Sequence, residues 1–363
     1  MKERLENIIH SGKRKTGIVL LVLIATLSVL LGMFVSCGDN GSEEPISKSS
    51  YINYNNYDSN HREMEYQDNN LYYIVNDINY VDHVVEVNNK RRKTICSSIT
   101  GQFVKNKNDI YDVDYENNLY KFNLDSGEKA IVFSGIRNSL FLVYHENVIV
   151  CDNGEVLLIN ENNENECLLE CKAEWIGATE NAIHVVSLDP DSPADRSLVW
   201  AINLSARKAE MIGTLPQRID YTVRFAVSNN YLAITSNNDD SKVLVFDLNT
   251  GMCSEYTLPH MIISMNAGRN DLLYLMCCDE GQYGQAKQSN DSGIYRLDLK
   301  NGNSLMIDNH ASTSAVLYVF DDDWVYVHSV GWLLFFGTDE FDRITVDGSK
   351  REHIYTANIF NMF

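Results

Sequence analysis

The residues able to do chemistry are spread along this sequence and do not group into a recognised motif. His184, His260 and His328 stand alone on or beside strand-like segments, where a histidine is more often structural or solvated than a zinc ligand. The G-x-S-x-G turn of a hydrolase nucleophile is absent. The sequence therefore predicts a protein that is not an enzyme, with no catalytic residue, no metal and no cofactor.

The run Asp321-Asp322-Asp323 places three carboxylates together that could bind a calcium ion. It lacks the alternating oxygen ligands and the glycine of an EF-type loop, and it directly precedes the strand-like segment WVYVHS. Asp residues in that position commonly form turns. A turn is the favoured interpretation, and calcium binding is the alternative.

Seven cysteines follow Cys37, an odd number without the spacing of a disulfide framework. They are predicted to be small buried hydrophobic residues. One disulfide among the three that flank a single hairpin, Cys151, Cys167 and Cys171, stays open. Cys277 and Cys278 are predicted to point to opposite faces of one strand. The other two cysteines are Cys96 and Cys253.

Three long insertions interrupt the strand-like segments, at Asp189 to Ser197, Asp279 to Gly293 and Ser329 to Asp342. Loops carried by a rigid scaffold are where binding residues collect, so the insertions are predicted to form a rim that binds a ligand or partner. The last insertion holds an apolar run that either folds back, lengthens a strand or offers a contact. The candidate rim residues are Tyr283, Trp332, Phe335 and Phe336.

The elements that would position these residues are short β-strands. From residue 65 onward, apolar runs alternate with Asn, Asp, Gly and Ser clusters every eight to twelve residues, without helical periodicity. One hairpin, a strand followed by a polar turn and a second strand, recurs seven times at intervals of 35 to 51 residues, with a mean of about 43. Its anchor residues are Val87, Phe122, Ile159, Ile202, Phe246, Leu297 and Ile344.

That period is typical of four-stranded propeller blades. Gly127, Gly251, Gly302 and Gly348 stand where a short hairpin loop needs a positive φ. A further strand pair precedes each hairpin, so the sequence predicts an all-β, seven-bladed β-propeller. A β-sandwich is the alternative, although sandwiches rarely repeat one hairpin at a near-constant interval. The Tyr-rich stretch 51–57 either supplies a ring-closing strand or is linker.

The repeats, most clearly IYRLDLKNG and DRITVDGSK, resemble the blades of the LDL-receptor-like β-propeller and of the bacterial domain of unknown function DUF5050. The resemblance covers about residues 65–358. It implies a propeller at the cell surface and carries no established activity. The third and fourth repeats depart most from the pattern because they lack the turn glycine.

The N-terminal segment Thr16 to Val35 contains twenty residues without a charge, enough for a helix to cross a bilayer. Lys13, Arg14 and Lys15 directly precede it, so the positive-inside rule places the rest of the chain outside the cytoplasm. A buried soluble helix is the alternative. The predicted organisation is 1–15 cytoplasmic basic segment, 16–36 transmembrane or signal-anchor helix, 37–64 polar linker and 65–358 propeller.

The end of that segment, Phe34-Val35-Ser36-Cys37, resembles a bacterial lipobox, which makes Cys37 a candidate for lipid attachment. An uncleaved helix is the alternative. The first residues, MKERLENIIHSGKRKTG, resemble the juxtamembrane segment of BlaR/MecR-type antirepressor metallopeptidases. The zinc motif HExxH of that family is absent, because His145-Glu146 has no second histidine. The resemblance therefore implies topology and no peptidase activity.

Charge narrows the classes of partner. The chain has 30 basic and 50 acidic residues, a formal net charge of −20, which disfavours binding to nucleic acid. Together these features predict a membrane-anchored, extracytoplasmic propeller that binds or senses an extracellular protein, peptide or glycan. Two alternatives stay open: a propeller hydrolase or lyase acting on a surface polymer, and a passive surface scaffold.

Overall fold

The structure is a computed structural model in which the chain divides into two compact units, residues 1–48 and 49–363. It describes residues of the second unit only. The predicted anchor, Cys37 and the stretch 51–57 lie outside the described residues. Within the part of the chain that is described, no helix is long and apolar enough to cross a membrane. The described residues are 64–359 with gaps at 68, 77–81, 89–90, 99–102, 115, 137–139, 161, 163, 193–195, 220–222, 269, 281–285, 288–291, 310–314 and 334–335.

The described residues form 29 β-strands in seven antiparallel sheets, each built from strands that are consecutive in sequence. This confirms the predicted all-β, seven-bladed β-propeller. Blades 1 to 3 comprise β1 (Met64–Gln67), β2 (Asn70–Asn76), β3 (Asp82–Asn88) and β4 (Arg91–Ser98); β5 (Val104–Asn106), β6 (Asp109–Val113), β7 (Asn118–Asn123) and β8 (Lys129–Ser134); and β9 (Leu140–Tyr144), β10 (Asn147–Asp152), β11 (Glu155–Ile159) and β12 (Asn165–Glu170).

The remaining four blades follow the same order, with one additional short strand, β23, in blade 6. They comprise β13 (Ala173–Ala178), β14 (Ile183–Leu188), β15 (Ser197–Asn203) and β16 (Lys208–Leu215); β17 (Phe225–Val227), β18 (Tyr231–Thr235), β19 (Lys242–Asp247) and β20 (Cys253–Thr257); β21 (Met261–Ala267), β22 (Leu272–Glu280), β23 (Ala286–Lys287), β24 (Gly293–Asp298) and β25 (Ser304–Asp308); and β26 (Ala315–Tyr318), β27 (Trp324–Leu333), β28 (Phe336–Thr345) and β29 (Arg351–Ile359).

Burial orders the strands within each blade. First strands such as β9 are buried along their length, whereas fourth strands such as β8 and β12 are largely exposed. First strands of neighbouring blades also contact one another, so the first strand is innermost and the fourth is outermost. The recurring hairpin of the sequence is the third and fourth strand of each blade, because every anchor residue falls on a third strand.

Antiparallel order fixes which connections share an end of the ring. We use the name lower face for the end of the ring that carries two kinds of turn: those from the first to the second strand of a blade, and those from the third to the fourth. The upper face carries the connections from second to third strand and from blade to blade. All three predicted insertions join second to third strands, so they belong to the upper face, as the sequence predicted.

Apolar clusters lie between each pair of neighbouring blades. The ring closes through such a cluster, in which Tyr73 and Val85 of blade 1 pack against Tyr326 and Phe341 of blade 7. Among the described residues, no strand is exchanged between blades 1 and 7. Within the described residues, burial of apolar side chains therefore holds blades 1 and 7 together.

The interface of blades 1 and 2 differs from the other six. Its described apolar cluster contains four buried residues, and two charged side chains of blade 2 are buried beside it, Lys105 and Asp112. The Lys105 ammonium donates to Gln67 Oε1 and to the Lys107 carbonyl (2.7 Å). Asp112 accepts from the Val113 amide at 2.6 Å. This interface thus combines a small apolar cluster with buried, hydrogen-bonded charged side chains of blade 2.

A β-bulge recurs in the fourth strand of six blades, and blade 5 lacks it. The extra residue is apolar each time and packs into the neighbouring interface cluster. A bulge shifts the register by one, so it turns an apolar side chain inward on a strand that is otherwise exposed. The bulge residues are Ile95, Val132, Leu168, Ile212, Ile307 and Ile354.

The cysteines of the described residues are all free thiols. Cys277 packs between blades 5 and 6 and Cys278 between blades 6 and 7, as predicted for opposite faces of one strand. The possible disulfide among Cys151, Cys167 and Cys171 does not form. Burial raises the pKa of the Cys171 thiol to about 11, which suits an inert packing residue.

Candidate functional site

The three insertions of the upper face differ in structure. In blade 4, a hydrogen bond joins the two ends of the insertion, the Asp189 amide donating to the Arg196 carbonyl at 3.3 Å. In blade 6, β22 continues to Glu280 and pairs with β23 through Asp279↔Lys287 and Glu280↔Ala286. Two of the insertions are thus held by hydrogen bonds of their own.

The blade 7 insertion is a continuation of the sheet. The innermost strand stops pairing at Ala315↔Ser329, but β27 and β28 stay paired to Leu333↔Phe336, and β29 follows as far as Gly337↔Ile359. We call residues 330–333, 336–339 and 357–359 the wing. Four residues beyond Ser329 extend it about 13 Å above the blade. The sequence had left strand lengthening open as one fate of this insertion.

Two of the four predicted rim residues lie on the wing. Trp332 and Phe336 lie on the paired strands β27 and β28; their side chains are outside the described part. Tyr283 and Phe335 lie wholly outside the described residues. The rim therefore stays a prediction, and the structure places two of its residues on a sheet extension.

A buried polar pair lies at the root of the wing, on the side of blade 1. His328 Nε2 is 3.4 Å from Asp339 Oδ1, and the imidazole stacks on Phe341 with ring centroids 4.5 Å apart. The ring of Tyr73 from blade 1 lies 4.6 Å from that of Phe341. Burial, reinforced by Tyr355, raises the pKa of Tyr73. His328 is thus a packed residue of the ring closure.

A second polar group lies at the root of the wing on the side of blade 6. Asp342 Oδ1 is 2.8 Å from His353 Nδ1, and His353 Nε2 is 2.9 Å from Thr356 Oγ1. Arg351 binds the other oxygen of Asp342 through Nε (3.2 Å) and Nη2 (2.5 Å), and Nη1 reaches Asp308 at 3.1 Å. Sequence reasoning missed this group because the bulge at Ile354, which aligns it, has no recognisable sequence signal.

The other histidines considered in the sequence have separate surroundings. His260 Nδ1 pairs with Asp279 Oδ1 at 2.7 Å, at the base of the blade 6 insertion. His184 is buried beside Thr179 on the lower half of blade 4, and burial lowers its pKa to about 4. Among the described residues, no group of three or more His, Cys, Asp or Glu side chains is arranged to hold a metal ion.

Asp321 behaves as a turn residue. Its Oδ1 accepts from the amides of Asp323 (2.9 Å) and Trp324 (2.7 Å), and its Oδ2 accepts from the Tyr326 hydroxyl at 2.8 Å. These bonds occupy both carboxylate oxygens. Burial raises the pKa of this carboxyl group.

The inner turns of the lower face are tied from blade to blade by polar contacts. One such tie joins blades 5 and 6, where Asp271, almost fully buried, accepts from Ser228 Oγ (2.9 Å) and Asn230 Nδ2 (2.8 Å) and pairs with Lys300 (3.2 Å). The other ties are Lys105 to Gln67 Oε1, Asn106 Nδ2 to the His145 carbonyl (2.6 Å), Lys107 to Glu146 (2.7 Å) and the Tyr144 hydroxyl to the Glu180 carbonyl (2.9 Å).

The chain matches no family model and no curated protein. Among solved structures it is similar to a puromycin-hydrolysing peptidase from Mycobacterium tuberculosis, at 8% identity and a TM-score of 0.53 over 84% of this chain and 56% of that one. A puromycin hydrolase matches at 8% identity and a TM-score of 0.52, over 89% and 57%. The chain spans just over half the length of both proteins.

An oligogalacturonate lyase from Vibrio parahaemolyticus matches at 12% identity and a TM-score of 0.49, over 77% of this chain and 88% of that one. At such identities, the two matches with a TM-score above 0.5 show the propeller fold alone. The resemblances to DUF5050 and to the metallopeptidase segment stay expectations.

The prediction that the chain is not an enzyme is corrected by these matches, because a puromycin-hydrolysing peptidase and a puromycin hydrolase contain the same fold. The prediction was drawn from the lack of a catalytic motif in the sequence. On a propeller, reactive groups can converge from separate strands and leave no such motif. Missing motifs therefore do not exclude catalysis here.

Proposed function

We propose that this protein is a binding module whose upper face, at blades 6 and 7, recognises an extracellular protein, peptide or glycan. The observation that carries the proposal is the wing, a paired extension of three strands beyond the blade. The neighbouring blade 6 carries the second paired extension. Two adjacent structured projections on one face form a larger surface than either alone.

The chemistry of the wing supports an apolar or aromatic contact. The sequence of this insertion includes the apolar run Trp332-Leu333-Leu334-Phe335-Phe336, and aromatic residues are enriched where proteins bind partners. The net charge of −20 argues against nucleic acid. The apolar segment 16–35 and the basic residues before it support display outside the cytoplasm at a membrane.

The test is a thermal-shift screen of the full chain in detergent against cell-wall fragments, glycans and peptides, since a ligand raises the unfolding midpoint by mass action. We expect a midpoint shift that Trp332→Ala with Phe336→Ala abolishes. Met252→Ala is the matched control, because Met252 is an exposed apolar residue (70% exposed) on a lower-face turn. A shift that survives the wing variants, or that Met252→Ala also removes, contradicts the proposal.

A further inference from the structure

Asp342 stands out when the blades are compared with one another. In each bulged blade we compare the fourth-strand residue directly before the bulge residue with the third-strand residue that pairs with it. In the five other bulged blades the third-strand residue is apolar or aromatic, and its fourth-strand partner carries no charge. Blade 7 has a buried aspartate, Asp342, and an exposed histidine, His353, in these two places. The corresponding pairs are Val85 with Thr94, Tyr120 with Ile131, Leu157 with Cys167, Trp200 with Met211 and Tyr295 with Met306.

Burying a carboxylate is costly unless it is paired and hydrogen-bonded. Asp342 meets both conditions through Arg351 and His353. The other bulged blades have an apolar or aromatic residue at this position, so the blade does not need a charged residue there to fold. A replacement that complicates folding in one of the six bulged blades points to a role beyond packing.

The bulge at Ile354 completes the arrangement. Residues 353 and 356 would lie on opposite faces of a regular strand. Because Ile354 is the extra residue, Thr356 pairs with Glu340 and lies on the same face as Asp342 and His353. Bulges re-aim side chains in this way next to active sites.

The hydrogen bonds then assign the proton positions. Donation of Nδ1–H from His353 to Asp342 leaves Nε2 as the acceptor that faces the Thr356 hydroxyl. A hydroxyl next to a base that is itself oriented by a carboxylate is the arrangement of nucleophilic acyl transfer. His353 is solvent-accessible, with a side chain 55% exposed, so a substrate can reach it.

We propose that Thr356, His353 and Asp342 form a nucleophilic site that hydrolyses carboxylic esters. Thr356 Oγ attacks the ester carbonyl carbon while its proton passes to His353 Nε2. The C–O bond to the leaving group then breaks, and the alkoxide takes that proton from His353. Water next attacks the acyl-threonine, gives its proton to Nε2, and releases the acid as Thr356 recovers its proton. Arg351 is a positioning residue that holds Asp342.

This inference goes beyond the proposed binding function and does not depend on it, because the three residues lie at the root of the wing.

Blade 4 offers a matched control. Thr214 occupies the same place in its bulged fourth strand, paired with Leu198 as Thr356 is with Glu340. Met211 and Trp200 replace the histidine and the aspartate there, so Thr214 has neither base nor orienting carboxylate.

The test treats the full chain with a fluorophosphonate probe, which loses fluoride when an activated hydroxyl attacks phosphorus, and locates the adduct by peptide mass spectrometry. We expect labelling of Thr356 and not of Thr214. Hydrolysis of p-nitrophenyl acetate should fall at least about tenfold in Thr356→Val and in His353→Gln, and should be unchanged in Thr214→Val.

Both active-site variants change exposed or half-buried residues, and an unchanged unfolding midpoint checks that they fold. Equal labelling of the two threonines, or no labelling of Thr356, would overturn the proposal. So would ester hydrolysis that Thr356→Val and His353→Gln leave intact.

Discussion

The two ends of this propeller are built on different principles. The lower face has short turns tied from blade to blade by hydrogen bonds and ion pairs, with Asp271 as the most buried tie. The upper face has insertions whose described strands pair within their own blade, as in the wing. The lower turns thus link neighbouring blades, whereas the upper insertions add structure to single blades.

The largest effect is expected from breaking a lower tie. Asp271→Ala leaves the side chains of Ser228, Asn230 and Lys300 without their shared acceptor and should lower the free energy of unfolding by about 4 kcal/mol. Urea denaturation measures this. Asp191→Ala, an exposed change in an upper-face insertion, is the control and should cost less than about 0.5 kcal/mol. Equal losses would mean that the two faces do not differ in this way.

Acid should weaken the lower half through His184. Its folded pKa of about 4 lies below the ordinary value of 6.5, so between these values the unfolded chain binds a proton that the folded chain does not. Stability is then complete above about pH 6.5 and falls with decreasing pH, by up to about 3 kcal/mol at pH 4. Denaturation at pH 7 and pH 4 tests this.

His184→Gln should flatten this part of the pH profile, whereas His145→Asn on an exposed lower turn should leave it unchanged. Asn is chosen because residue 145 has φ 57, which Asn tolerates. An unaltered profile in His184→Gln would contradict the assignment.

Two turn glycines show how the lower face also locks the blades at their outer edge. Gly251 and Gly127 have nearly the same φ, 71 and 72, so alanine strains both. A Cβ at Gly251 would also overlap the Ile212 carbonyl of blade 4, whereas none of the described atoms lies within 4 Å of that position at Gly127. Gly251→Ala should therefore destabilise by about 2 kcal/mol more than Gly127→Ala. Equal thermal unfolding midpoints of Gly251→Ala and Gly127→Ala would contradict a close contact between residue 251 and the Ile212 carbonyl.

The sequence predicted what is repeated and missed what is particular to one blade. The anchors Val87 to Ile344 are all third strands, and the four turn glycines all have positive φ, because a seven-fold pattern strengthens each weak local signal. The bulge at Ile354 has no such signal, since an extra residue in a strand shows only in the pairing. Without knowledge of this bulge, the sequence could not predict that Asp342, His353 and Thr356 lie on one face of the sheet.

The contacts between blades 1 and 7 were not predicted from the sequence, for a related reason. The packing of Tyr73 and Val85 on Tyr326 and Phe341 joins residues about 250 positions apart, and no local pattern reports contacts at that separation. The Tyr-rich stretch 51–57, which the sequence offered as a ring-closing strand or linker, lies outside the described residues, so that alternative stays open.

The smallest effect on stability is expected from removing the wing. Replacing residues 331–338 by Asn-Gly keeps Val330 and Asp339 paired across a two-residue turn, which suits a hairpin. The pairs from Ser329↔Glu340 downward stay intact, so the free energy of unfolding should change by less than about 1 kcal/mol. Ligand-induced midpoint shifts should disappear, whereas labelling of Thr356 should persist. A loss as large as that of Asp271→Ala would make the wing part of the scaffold, and the contrast between the two faces would fail.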